Sequence, residues 1–358
     1  MLGAVLICVS PQEYVEVTPS IVAVMGQPTV RDAHRLSENI CMAHSSYVRR
    51  GRVVHGAVQV VTPTQVVLVS GETFDYDYLV LASGSSTREP VFKSPMVSQT
   101  IAGRAAQMAA ESERISRARD VLIVGGGPVG VELASEIAMR NPDKLVHIVH
   151  NEARLMSGLH PDLGAAAERF FRSRPNCRLY LSQTARELTS SSPRRLFQLG
   201  DESTLHVDLA YMCGGVTPNS AVMREHFASS INAAGYVKVN SYLQVPGHER
   251  IFAVGDVNDR SDGNLATNAI AQAERTALNL IAIANRRPVD SYTPPPKVSL
   301  ISFGPMYGVA FLAFFSLTGV FPRGNALVGI IKAFAEAHYF LLFATLGSII
   351  VRMLAWYL

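Results

Sequence analysis

VLIVGGGPVGVELASEIA, residues 121–138, decides the fold. An apolar run enters a glycine turn, and the turn enters a segment of helical periodicity: the pattern of a buried strand feeding the first helix of a βαβ unit. Gly125, Gly127 and Gly130 keep G-x-G-x-x-G spacing in that context. The first glycine permits the tight turn, the second lets a pyrophosphate approach the backbone, and the third lets helix and strand pack closely. The head of the helix adds free N–H groups and a partial positive charge. With Pro128, these glycines form the candidate dinucleotide cradle; the alternative is a chance Gly-rich turn. About a third of the chain precedes the motif and has strands of its own, so another unit comes first.

Reading outward, KLVHIVHNE (144–152) is the next strand. An acid at the end of such a strand accepts hydrogen bonds from an adenosine ribose. Here Glu152 could fill that role, while His150 or Arg154 could tolerate a 2′-phosphate; all three could also be solvated loop residues, which leaves NADH against NADPH open. Glu132, two residues past Gly130, is expected on the first turn of the helix, either as plain charge placement against the helix dipole or facing a nicotinamide. Further along, strand and helix alternate through CRLYLSQTARELT, RRLFQLGD and LHVDLAYMCGG to ERIFAVGDVND and a long helix ending at ANRR (284–287). Upstream, RVVHGAVQVVTP, TQVVLVSGETFDY and YLVLASGSS read as strands with hairpins.

The 358 residues suffice for two cores. Only 17% are charged, and mean hydropathy is +0.18, too apolar for disorder. The net charge of +3 is spread without a basic, aromatic-interleaved face, giving no nucleic-acid signal. Cys8, Cys41, Cys177 and Cys213 are scattered without a CxxC or CxxxxC pair, which argues against zinc, a disulfide framework or a redox dithiol. MLGAVLICVS lacks the basic flank and cleavage site of a signal peptide and reads as a strand.

In order, YDYLVLASGSST, VLIVGGGPVGVELA, CGGVTPNS and IFAVGDVND resemble the motifs of the pyridine nucleotide–flavin oxidoreductases, α/β proteins with two Rossmann-like domains. SPQEYVEVTPSIV is similar to a segment of the branch related to apoptosis-inducing factor, the ferroptosis-suppressor-like quinone reductases; type II NADH dehydrogenases are close relatives. The resemblance implies an NAD(P)H domain inserted in an FAD domain: residues 1–103 and 247–293 as the two FAD parts, 104–246 as the NAD(P)H domain, and 294–358 as an apolar C-terminal region. It further implies that Gly255 and Asp256 hold the flavin's ribityl chain, that Ala266 and Thr267, after Gly263, face the flavin ring, and that Ser83 and Gly84 lie where the chain crosses beside FAD. Thr18 and Pro19 would pass near the isoalloxazine, and Gly214 and Gly215 would line the nicotinamide nucleotide. The family's earlier GxGxxG is not in this sequence, and its ribose-binding acid position is Ser10, so the FAD domain is expected to be truncated at its N-terminus.

AHYFLLFATLGSIIVRMLAWYL, residues 337–358, has the length of a membrane span with a single charge, Arg352, and terminal aromatics. It is expected to attach the protein to a membrane, at a cytoplasmic face or in mitochondria; a buried or dimer-forming helix is the alternative. Residues 298–321 match the length of a span too, yet Gly304, Pro305 and Gly308 fit a hairpin that the resemblance implies there, so this run is expected to be mostly protein core. The function expected from these features is hydride transfer from NAD(P)H through FAD to a quinone-like acceptor, with no metal. The alternatives are a relative that binds NAD(P)H but not FAD, serving as sensor or scaffold, and a soluble ferredoxin or rubredoxin reductase.

Overall fold

The computed structural model describes residues 5–93, 97–190, 192–262, 264–296, 298–312 and 315–316. The fingerprint strand Asp120–Val124 lies inside a four-stranded parallel sheet in the order Cys177–Tyr180, Leu145–Val149, Asp120–Val124, Leu209–Met212. Val121, Leu122 and Ile123 are fully buried because a parallel sheet covered on both faces hides every side chain of its central strand. The helices Pro128–Arg140 and Pro161–Arg172 bury Val131, Leu133, Ile137, Phe170 and Phe171 against it. LHVDLAYM, which reads as one extended run, divides at Asp208. Thr204–Val207 joins an antiparallel meander, while Leu209–Met212 enters the parallel sheet. The Asp208 carboxylate accepts the backbone N–H groups of Arg119 and Asp120, fixing the division.

The surrounding unit is made from both ends of the described chain. Leu79–Leu81 pairs in parallel with His248–Ala253, and Ile7–Ser10 pairs in parallel with Arg52–His55. Their apolar faces share a second core that includes Val54, Leu81, Phe227, Ile251 and Ala253. Residues between Tyr14 and Cys41 instead belong to the core of the parallel-sheet unit, beside Val131 and Leu133.

The hairpin expected near Gly304 is present as Val298–Phe303 and Tyr307–Leu312. It docks on the fingerprint helix, where Gly304 N–H donates to Ser135 Oγ at 2.9 Å, and on the helix Pro161–Arg172, where Phe303 packs on Phe170. Gly304 has φ +68, and a Cβ there would stand 2.7 Å from Met139 Cγ. Gly304→Ala is therefore expected to cost about 2–4 kcal/mol, from left-handed strain plus overpacking, read as a lowered denaturation midpoint. No helix among the described residues is long and apolar enough to cross a membrane. The segment expected to attach to one, 337–358, lies outside the described residues.

Candidate functional site

The candidate coenzyme cradle follows from backbone geometry. Gly125 has φ +117, and a Cβ there would meet the Cys213 carbonyl at 2.9 Å, so a side chain is excluded by dihedral and by contact. Gly127 is the extended N-cap of the helix, carries no side-chain cap, and has no protein atom within 4 Å of where a Cβ would stand. The uncapped first-turn N–H groups thus open onto unobstructed space, which fits a pyrophosphate. Gly130 is required for packing: a Cβ would lie 2.0 Å from Gly125 O. Gly214 and Gly215, beyond Leu209–Met212, are exposed and equally unobstructed.

At the end of Leu145–Val149, His150 Nδ1 accepts the Gly126 N–H at 3.2 Å, and burial lowers the imidazole's pKa, so the ring is neutral. Arg154 spends its guanidinium on carbonyls, Nη2 to Ser157 O at 2.9 Å and Nη1 to Leu159 O at 3.5 Å. Glu152 is exposed.

The second cluster centres on Asp256. Gly255 turns with φ +71, and its N–H donates to Gln272 Oε1 at 2.8 Å; Asn258 Nδ2 donates to the same oxygen at 2.7 Å. Asp256 Oδ2 accepts from Ser85 Oγ at 2.8 Å and from Lys93 Nζ at 2.5 Å. Both contacts fall on one oxygen, so Oδ1 remains to accept a ligand hydroxyl. A Cβ at Gly84 would stand 3.8 Å from Lys93 Nζ, placing the glycine turn beside the same charge pair. Ala266 and Thr267 are exposed at the head of the helix Ala266–Ala284, whose N-cap Leu265 offers no side-chain acceptor. These donors, the open carboxylate oxygen and the bare backbone fit the ribityl chain and ring edge of a flavin. Gly263 lies outside the described residues. Ser10 Oγ, at the ribose position, accepts the Gln12 N–H at 3.2 Å.

The two clusters are joined directly. Val216–Pro218 pairs antiparallel with Ser85–Thr87, Val216 opposite Thr87 and Pro218 opposite Ser85, so the strand that leaves the Gly214–Gly215 turn runs back to the Ser83–Gly84 turn at the far end of the ladder. Asn219 fastens the junction: its N–H donates to Gly84 O at 2.9 Å, its Nδ2 to Ser83 O at 2.9 Å, and its Oδ1 accepts from Ser86 Oγ at 2.7 Å. Ser83 Oγ returns a bond to Asn219 O at 2.7 Å. Thr18 and Pro19 open the turn Thr18–Ser20, and the following helix Ile21–Met25 crosses the fingerprint helix so closely that a Cβ at Gly26 would come 2.7 Å from Glu136 Cβ.

Glu132 departs from its expected place. The helix begins at Pro128, so Glu132 is its fifth residue, beyond the first turn. The residue is 6% exposed, and its carboxylate accepts the Ser302 N–H at 3.0 Å and Ser302 Oγ at 3.1 Å, under the C-terminal hairpin. Counting from the third glycine misplaces it because Gly127, in extended conformation, is the cap. Lys93, Asn219 and Gln272 join these candidate clusters without having been singled out in the sequence: Asn219 sits within the CGGVTPNS run, whereas no local motif marks Lys93 or Gln272.

The family model of the pyridine nucleotide-disulphide oxidoreductases matches residues 11–273. Ferroptosis suppressor protein 1 of Homo sapiens is 29% identical over 256 residues, covering 70% of this chain and 68% of that protein. The chain spans about two thirds of the length of the ferroptosis suppressor proteins it matches. Among solved structures, NDH2 from Plasmodium falciparum in complex with NADH superposes with a TM-score of 0.71 at 13% identity, over 96% of this chain and 93% of that one. The sulfide:quinone oxidoreductase of Aquifex aeolicus superposes with a TM-score of 0.66 at 16% identity, over 96% of this chain and 86% of that one. At such identities the likeness establishes the fold.

Proposed function

Because the chain belongs to the pyridine nucleotide-disulphide oxidoreductase family, we propose that it is an NAD(P)H-dependent flavin oxidoreductase whose acceptor is quinone-like. The observation that carries this reading is the strand pair between Val216–Pro218 and Ser85–Thr87, which runs the strand leaving the Gly214–Gly215 turn to Ser85, a hydrogen-bond partner of Asp256. Bound FAD would supply the ring that takes the hydride, so that over one turnover NAD(P)H, a proton and a quinone become NAD(P)⁺ and quinol. The chain's own part is orientation. Gly127 and the helix head hold a pyrophosphate, Gly214 and Gly215 leave room for a flat ring, Asp256 fixes a polyhydroxyl chain, and Ala266 and Thr267 offer backbone N–H groups. Residues 1–103 with 247–293, and residues 104–246, would be the two nucleotide domains.

The four cysteines form no CxxC or CxxxxC pair to serve as a dithiol relay, so electrons would leave the flavin for an external acceptor. A quinone suits the apolar sequence of 337–358, which we propose as a membrane attachment. The Aquifex aeolicus fold neighbour is likewise a quinone oxidoreductase by name. NADH is the proposed donor. A 2′-phosphate would meet exposed Glu152, while Arg154 is tied to carbonyls and His150 is neutral. NADH is expected to be preferred about tenfold or more, the ~1.4 kcal/mol of one mismatched charge contact. Glu152→Ala should narrow the ratio of kcat/KM values for the two coenzymes.

The test is anaerobic addition of NADH to purified full-length protein. Flavin absorbance that bleaches, and recovers with a soluble quinone, supports the enzyme. A second reading, a protein binding NADH alone, draws support from the Lys93–Asp256 pair, which already neutralises the carboxylate. Colourless protein that binds NADH and cannot be loaded with FAD would establish it.

A further inference from the structure

We propose that Arg104 is a positioning residue: through the helix Ile101–Arg117 it holds the two candidate nucleotide sites at the separation that hydride transfer requires. The inference rests on the two-nucleotide reading above and goes beyond it by assigning the spacing to one side chain that touches neither nucleotide.

Arg104 is completely buried. Its fork grips Glu16 with Nε on Oε1 at 2.8 Å and Nη2 on Oε2 at 3.0 Å. Nη2 also donates to Val91 O at 2.9 Å, and Nη1 to Gln107 Oε1 at 2.8 Å. Glu16 stands two residues before Thr18, and Val91 two before Lys93. One guanidinium therefore ties the arm carrying Thr18–Pro19 to the loop whose lysine holds Asp256. Further along the same helix, Glu111 Oε2 accepts from Tyr211 OH at 2.9 Å. Tyr211 lies on the strand that runs into Gly214 and Gly215. The loop that carries Val91 adds its own tether, Met212 N–H to Glu89 Oε1 at 3.2 Å. At the far end, Lys144 Nζ closes on the carbonyls of Ser116 and Ala118 at 2.8 and 2.9 Å.

A helix is stiff along its axis, so grips at Arg104 and Glu111 act as two fixed points on a rod. The planar bidentate fork is what makes the first grip rigid; an ammonium cannot reproduce it. A misplacement of ~1 Å between reacting rings can slow transfer on the order of 100-fold while leaving each ligand bound.

The test uses the full chain carrying Arg104→Lys and, separately, Glu16→Gln, each compared with wild type for melting temperature, flavin content, NADH affinity and the rapid-mixing rate of flavin reduction at saturating NADH. The expected result is flavin content and NADH affinity within about threefold of wild type, with the reduction rate per bound flavin lowered roughly 10- to 100-fold in both variants. The proposal is overturned if the rate per bound flavin is unchanged, whether the variants are stable or have lost stability and flavin together, since Arg104 would then serve stability alone. Variants that cannot be loaded with flavin at all overturn it as well. Wild-type protein that takes up no flavin overturns the parent reading, and this one with it; the wild-type control tells the two failures apart.

Discussion

Gly127→Ala and Gly130→Ala are expected to abolish coenzyme binding by different routes, and the difference is diagnostic. At Gly130 the added methyl would stand 2.0 Å from Gly125 O and 3.2 Å from Ile123 Cγ2. The nearer obstacle is backbone, so the loop itself must move. NADH affinity should fall at least ~100-fold, about 2.7 kcal/mol, and the melting temperature should drop with it because the fully buried sheet strand shifts as well. At Gly127 nothing in the protein lies within 4 Å of the new methyl. The fold should be indifferent, and only a ligand passing over the helix head should notice. The same scale of affinity loss with an unchanged melting curve is expected, measured by the fluorescence of bound NADH. If Gly127→Ala binds NADH as wild type does, the pyrophosphate does not cross there.

Asp256→Asn is expected to release the flavin. The substitution keeps the shape but removes the charge that Lys93 and Ser85 converge on, and it weakens the remaining acceptor. It also strands a 32%-exposed ammonium beside a neutral amide. Charge-assisted hydrogen bonds contribute about 1.5–3 kcal/mol, so FAD affinity should fall roughly 10- to 100-fold, read by titrating flavin-free protein and by the flavin-to-protein absorbance ratio after gel filtration. NADH affinity should be unaffected, because no group of the coenzyme cradle touches Asp256. Full flavin retention would remove Asp256 from the site.

The glycines of the cradle were legible because their spacing encodes backbone geometry: a left-handed dihedral at Gly125 and a steric exclusion at Gly130 leave no other residue type. The hairpin at Gly304 was expected from the family resemblance, and the left-handed φ of Gly304 suits its turn. Glu132 was legible as a residue but not as a position, because the cap at Gly127 sets the helical count and the partner that claims it, Ser302, is 170 residues away. Lys93 and Arg104 were illegible. A lysine in the loop after Ser85–Thr87 and an arginine in a charged amphipathic helix both look like solvated surface. Their partners lie 163 and 88 residues distant in the chain. Asp208, splitting an apparently continuous strand between two sheets, shows the same limit: periodicity reports alternation, not which neighbour is on each side.

Among the described residues, Leu79–Leu81 finds its partner at His248–Ala253, in parallel. During synthesis the earlier strand must therefore wait, unpaired and apolar, until the ribosome has delivered the whole intervening fold and carried residue 253 clear of the exit tunnel. Distant parallel pairing of this kind is slow, and the waiting edge is a target for chaperones and for aggregation. The yield of this protein in a foreign host should depend more on translation speed and chaperone supply than on its equilibrium stability once made.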